Sequence, residues 1–383
     1  MSERKYKKAA NIIVKAGILP FPITDTLMEI MQLLYTEEEA DFIIKAFKRR
    51  VSQTLEQLKS TTGYSEELIL KNVNSLAEKG ALFNQPNSKG VRVYRLLPLI
   101  MVGIFEYVFM RKVEYTEKEK KIAKLFDQLF DELQEIIQGK YEMFLPAFKK
   151  IPPIDRTVPF KETKEGKEIS IELNKEISTP EEQILASDKI EEIINKFDDI
   201  TVAHCFCRQH QDLLGNECEI TDIRENCFTF GKSARFVAEQ GFGRLISKEE
   251  AIDILQKSEE AGLVHKAYHP HGKIERNETS VCNCCKDCCG TFNLWKQGIL
   301  PMINATNFLS NIDQEICIGC GTCIEKCPVD AIKLNEHTKA ERNPDWCIGC
   351  GVCAHFCPEN AISLLEGQRT VFVPPPKIRE ETS

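Results

Sequence analysis

The chain has no apolar run long enough to cross a bilayer. Its longest, Leu96 to Met110, is interrupted by Pro98 and Glu106, whereas a spanning helix needs about 20 apolar residues. Export signals are missing as well. The basic start Arg4-Lys5-Tyr6-Lys7-Lys8 leads into an apolar stretch broken by Lys15 and Pro20, and Arg49-Arg50 lies too deep for a twin-arginine signal. There is no phosphate-binding loop: Gly231-Lys232-Ser233 imitates its end, but position 226 is Asn where the first Gly is required. No constellation suggests flavin or nicotinamide. Basic charge is also scarce. Residues 1–150 carry 24 Lys+Arg against 20 Asp+Glu, and the remainder 26 against 38, within a net −8. The front is too weakly basic to announce nucleic acid, and the acidic rear suits docking on a basic surface. What remains is a cytoplasmic, ordinary globular composition of 383 residues, enough for two or three domains.

Cysteine is what the chain has in excess. There are seventeen, and free thiols in that number need a reducing compartment. Eight fall in two runs thirty residues apart. The first is Cys317-Ile-Gly-Cys320-Gly-Thr-Cys323-Ile-Glu-Lys-Cys327-Pro328, and the second Cys347-Ile-Gly-Cys350-Gly-Val-Cys353-Ala-His-Phe-Cys357-Pro358. A zinc ribbon or disulfide scaffold would show paired C-x2-C knuckles or scattered spacings. The C-x2-C-x2-C-x3-C-P pattern instead resembles that of bacterial-type ferredoxins, where three close thiolates hold three irons of a cube and the run's fourth cysteine ligates the other cluster. Two [4Fe-4S] clusters are expected, one on Cys317, Cys320, Cys323 and Cys357, the other on Cys347, Cys350, Cys353 and Cys327. The intervening glycines let backbone amides approach the cluster sulfurs.

Nine cysteines are left: Cys205, Cys207, Cys218, Cys227, Cys282, Cys284, Cys285, Cys288 and Cys289. Three chemistries compete for them: one or two further iron–sulfur clusters, a structural zinc, or a redox thiol pair. Adjacent Cys284-Cys285 and Cys288-Cys289 diverge, so they cannot all face one centre. The preferred single site joins the 205/207 pair to members of the 282–289 run. Arg208 reads equally as a hydrogen-bond donor to that site or as a surface residue. His265, His269 and His271 read as core or surface groups.

Helix signals fill the front. Thr36-Glu37-Glu38-Glu39 and Thr116-Glu117-Lys118-Glu119 are capping boxes. Ser52 reads as the cap of a short helix, Ser65 as the cap of one ending at Gly80, and residues 81–94 as a hairpin, together a winged-helix-like module. Leu96 to Met110 reads as a buried helix. The would-be recognition helix carries Glu66, Glu67, Lys71, Glu78 and Lys79, so protein contact is favoured over DNA. Further on, Thr179-Pro180 opens a helix to about Phe197, Ile200–Ala203 and Leu263–Ala267 read as strands, and Ser247 caps a helix to Ala261. The expected fold class is α+β. Residues 1–140 form the helical winged-helix-like domain, 141–165 a proline-bearing linker, 166–305 a cysteine-rich α/β domain, 306–368 the two-cluster ferredoxin domain, and 369–383 an extended tail.

Beyond its last seventy residues, the chain resembles a family of multi-domain iron–sulfur proteins of anaerobic bacteria and archaea. The stretches that carry the likeness are Tyr35-Thr36-Glu37-Glu38-Glu39-Ala40, Gly103-Ile104-Phe105-Glu106, Cys205-Phe206-Cys207-Arg208 and Cys282-Asn283-Cys284-Cys285. The resemblance implies low-potential electron transfer to protein partners, without a named substrate. The spacing does not match the Cys-Cys pairs of heterodisulfide reductases. Two other classes stay open: a redox-sensing regulator with the winged helix on DNA, and a reductase with a catalytic middle-domain cluster.

Overall fold

The computed structural model describes residues 2–17, 19, 21–153, 155–173, 189–270 and 276–378. It divides into two units. One comprises Met1–Glu135, Ala203–Glu217 and Lys232–Leu245, and the other Ile136–Val202, Cys218–Gly231 and Ile246–Ser383.

The first unit is built on capped helices. In the helix Glu37–Phe47, Thr36 Oγ1 accepts the Glu39 N–H at 3.2 Å, and the Glu39 carboxylate accepts the Thr36 N–H at 2.7 Å. Glu39 is buried and also accepts from Ser75 and Lys79, at 2.6 and 2.7 Å, which ties this helix to the helix Glu66–Glu78. Strands β1 (Ser52–Thr54), β2 (Leu82–Phe83) and β3 (Val93–Leu96) form an antiparallel sheet in the order β1–β3–β2. Ser52 therefore begins a strand. The helix start is Thr54, whose capping box with Gln57 opens Leu55–Thr62. The expected helix over Leu96 to Met110 shortens to Ile104–Met110. Pro98 blocks earlier helical pairing, and Glu106 caps by accepting the N–H groups of Met101 and Gly103 at 2.8 and 2.9 Å.

The second unit centres on a mixed sheet. Its further strands, with one from the first unit, are β4 (Asp155–Val158), β5 (Ile171–Leu173), β6 (Ile200–His204), β7 (Glu225–Phe230), β8 (Gly243–Leu245, first unit), β9 (Val264–Tyr268), β10 (Ser280–Cys284), β11 (Met302–Ile312), β12 (Ile332–Leu334), β13 (Ala340–Arg342) and β14 (Ile362–Val373). The sheet of this unit runs β5–β14–β11–β4–β9–β10–β7–β6. Register sorts its faces, because directly opposed residues point the same way. Cys227, Cys282, Lys266 and Thr157 form one row across β7, β10, β9 and β4. The opposite face gives Phe228, Val281, Ala267 and Val158 to a core shared with Ile190, Ile193, Ala251 and Leu255 of two covering helices.

Two sequence expectations change here. The stretch 141–165, read as linker from its prolines, contains the helix Tyr141–Phe148 and the fully buried β4. Its charged residues are paired internally: Asp155 with Lys266, and Arg156 with Glu278 at 3.1 Å. The expected helix start at Thr179 lies outside the described residues, and the described helix spans Ile190–Asn195. The extended tail expected from 369 begins as the end of β14, which pairs with β11 to Val373. Beyond it, Trp295 Nε1 donates to the Pro374 carbonyl at 3.0 Å and Tyr141 Oη to that of Pro375 at 2.6 Å.

Candidate metal centres

The two cysteine runs fold into matching loops. Each loop enters a short helix, Thr322–Lys326 or Val352–His355, through a left-handed glycine, Gly321 at φ 80° or Gly351 at φ 74°. Gly319 and Gly349 are left-handed too, and a Cβ there would lie 2.0 Å from the Thr338 carbonyl oxygen or 2.1 Å from that of Phe308. Only glycine fits such an approach. Equivalent amides donate to equivalent sulfurs: Ala331 N–H to Cys327 Sγ and Ala361 N–H to Cys357 Sγ, both at 3.3 Å.

The loops close around two cavities. One is lined by Cys327, Cys347, Cys350 and Cys353, the other by Cys317, Cys320, Cys323 and Cys357. Each cavity thus takes three thiols from one run and one from the other. Burial, followed by the neighbouring sulfurs, pushes the Cys323 thiol up to about 11. Burial likewise raises Cys327 to about 11 and lifts Cys350 and Cys353. Packing several thiolates into an apolar cavity is unfavourable unless a cationic centre offsets their charge. An all-sulfur donor set with that need fits an iron–sulfur cluster. The cavities differ in access. Cys320 is exposed and Cys357 half-buried, whereas Cys327, Cys347, Cys350 and Cys353 are all buried.

The nine remaining cysteines fall in both units. Cys205 and Cys207 belong to the first unit, both buried, at the start of the helix Phe206–Leu214. Arg208, beside them, is fully buried rather than a surface residue. In the second unit, Cys218, Cys285 and Cys288 bring their sulfurs within 4.8 Å of one another. Hydrogen bonds from Cys285 and Cys288 hold the Cys218 thiol well below its ordinary value. Cys284 instead faces Cys282 and Cys289, and hydrogen bonding with Cys282 and Cys289, with burial, drives its thiol up. Cys227 stands opposite Cys282 in the sheet register.

Sequence reasoning missed the group beside these thiols. Lys266, cross-strand from Cys282, is 2% exposed and paired with buried Asp155. Burial disfavours its charge, but Asp155 and the Cys284 and Cys289 sulfurs outweigh that and raise its pKa. The one available signal was a lysine between the apolar ends of a short strand. The histidines stay in the core: His265 is bonded to Asn283 at 2.5 Å and Glu259 at 3.0 Å, and His269 to the Arg276 carbonyl at 2.6 Å. His271 lies outside the described residues. Asn226 sits within β7, which leaves no loop before Gly231 to cradle a phosphate.

Among the described residues no helix is long and apolar enough to cross a membrane. Residues 310–364 match the family model of the 4Fe-4S dicluster domain. Over 29 residues the chain is 52% identical to a ferredoxin of Pyrobaculum islandicum, covering 8% of this chain and 27% of that protein. The chain therefore spans about a quarter of that relative's length. No solved structure matches. The matched region and its cysteine pattern support a 4Fe-4S dicluster domain over residues 310–364, in a chain that also carries a cysteine-rich region.

Proposed function

We propose that the chain relays single low-potential electrons between a donor protein and a partner oxidoreductase, in the reducing cytoplasm. Cys317, Cys320, Cys323 and Cys357 hold one [4Fe-4S] cluster, and Cys347, Cys350, Cys353 and Cys327 the other. The observation that carries this reading is the pair of cavities, each lined by three thiols of one run and the fourth of its neighbour. When bound, the clusters supply one-electron redox chemistry. The protein's part is to position and tune. The Ala331 and Ala361 amides donate to ligand sulfurs and stabilise added negative charge. The exposed Cys320 edge is the exchange point with a partner, and the buried set passes electrons inward. A further iron–sulfur centre is assigned to Cys227, Cys282, Cys284 and Cys289, where Lys266 offsets thiolate charge.

A DNA-binding regulator is disfavoured, because the helix Glu66–Glu78 offers few spare cations. Lys71 pairs with Glu38 at 3.0 Å and the following Lys79 with Glu39 at 2.7 Å.

The test is iron and acid-labile sulfide per chain, with electron paramagnetic resonance of the dithionite-reduced protein, after purification without oxygen. The expected result is about 12 iron and 12 sulfide with reduced-cluster signals. About 8 of each would remove the further centre and leave the ferredoxin pair. Fewer than that, or no reducible signal, would sink the relay itself.

A further inference from the structure

We propose that Cys218, Cys285 and Cys288 hold a single zinc ion, a centre distinct from every iron–sulfur cluster of the chain. A tetrahedral zinc with Zn–S near 2.3 Å places its ligand sulfurs about 3.8 Å apart. Cys218 Sγ and Cys285 Sγ are 3.8 Å apart, Cys285 Sγ and Cys288 Sγ 3.1 Å, and all three sulfurs lie within 4.8 Å of one another. In a four-iron cube each thiolate binds a different iron, so its sulfurs must stand further apart. The molecule contains that control. Among the described residues, no three of the eight cysteines in the two ferredoxin runs are gathered so tightly.

Local structure agrees with one ion. Cys285-Lys286-Asp287-Cys288 is a C-x2-C knuckle, the unit from which structural zinc sites are made. The Cys288 N–H donates to Cys285 Sγ at 3.2 Å, which folds the knuckle so that both sulfurs face one point. The third donor is brought in across 67 residues of sequence and is fastened there a second time, because the Glu219 N–H donates to Asp287 Oδ2 at 3.0 Å. Cys285 and Cys288 are buried and pack with Leu263, while Cys218 is only partly covered. Three thiolates supply three corners of the tetrahedron.

The role that follows is a brace rather than a redox step, since zinc does not change oxidation state. Lys286 Nζ, within the knuckle, donates to the Glu325 carbonyl. Glu325 lies in the helix Thr322–Lys326, between Cys323 and Cys327, which line different cavities. An ion that fixes the knuckle also fixes the helix linking both cavities.

The experiment is zinc and iron content, with zinc-edge X-ray absorption, on the full chain purified without oxygen. The expected result is about one zinc per chain in a sulfur-dominated shell near 2.3 Å. In Cys218→Ser, zinc retained through dialysis should drop at least about tenfold, the lower range for loss of a supporting group, with iron unchanged. A wild-type protein without zinc, a shell dominated by nitrogen and oxygen, or zinc fully retained in Cys218→Ser would each overturn the assignment. If that variant does not fold, the wild-type absorption spectrum decides alone. Because zinc and iron are counted separately, failure here and failure of the electron relay are distinguishable.

Discussion

The ferredoxin runs and the middle-region cysteines use the same ligand atom in opposite ways. In the runs, each cavity draws its cysteines from within forty-one residues of chain, on loops shaped by left-handed glycines. In the middle, partners meet through the tertiary fold: Cys227 reaches Cys282 through the β7–β10 register, and Cys218 reaches Cys285, from loops, across 67 residues. The first kind of site is specified locally. The second is only as sound as the fold that carries it.

The sharpest way to break this contrast is to remove one thiol from each. Cys350→Ser opens a fully buried set, and the chain should lose about four iron with the signal of that cluster, or the whole ferredoxin region if the two loops fold together. Cys282→Ser should leave about eight iron and both ferredoxin signals intact. Loss of those signals in Cys282→Ser would show that the runs are not locally specified.

The next effect belongs to the sheet. Lys266→Met would leave Asp155 buried without its cation, and breaking a buried pair costs about 3–5 kcal/mol. The Asn304 amide, which donates to Asp155 Oδ1 at 2.5 Å, does not replace that charge. Chemical unfolding should register that loss, and iron should fall by the middle-region share alone. Smaller again is the glycine comparison. Gly349→Ala adds a Cβ 2.1 Å from the Phe308 oxygen at φ 64°, whereas Gly321→Ala adds one into open space at φ 80°. Left-handed backbone alone costs about 1–2 kcal/mol, so Gly321→Ala should show about that, and Gly349→Ala beyond about 3 kcal/mol. Equal losses in thermal unfolding would mean that the close approach carries no weight.

The same contrast decides what could be read in advance. The eight run cysteines, the Thr36 and Thr116 capping boxes and the glycine loops are short-range patterns, and the capping boxes have their partners in the structure: Glu119 N–H donates to Thr116 Oγ1 and Glu39 N–H to Thr36 Oγ1, both at 3.2 Å. Strand β4 was hidden because Pro152 and Pro153 precede it and because Asp155 and Arg156 look like surface residues. Their partners, Lys266 and Glu278, lie over a hundred residues away, where no local period reports them. The partition of the middle cysteines was hidden for the same reason. Cys284 ends β10 and Cys285 is the first residue beyond it, so Cys284 turns toward Cys282 and Cys289 while Cys285 turns toward Cys218 and Cys288.

The mildest test changes no residue. Within the ferredoxin pair, the Cys320 set opens to solvent and the Cys350 set does not. An iron chelator reaches a cluster through its exposed edge, so release from the wild-type chain should be biphasic, with about four iron in each ferredoxin phase. The fast phase should carry away the signal of the Cys317, Cys320, Cys323 and Cys357 cluster. Ionic strength gives a second reading of that edge. The rear of the chain is acidic, 26 Lys+Arg against 38 Asp+Glu after residue 150, so electron exchange with a basic partner should slow as salt screens the attraction, while chelation by a small neutral ligand should not. If exchange is insensitive to salt although the fast-releasing cluster is the Cys320 one, electrons leave through another face. The inner, fully buried cluster would then be the outlet rather than the relay.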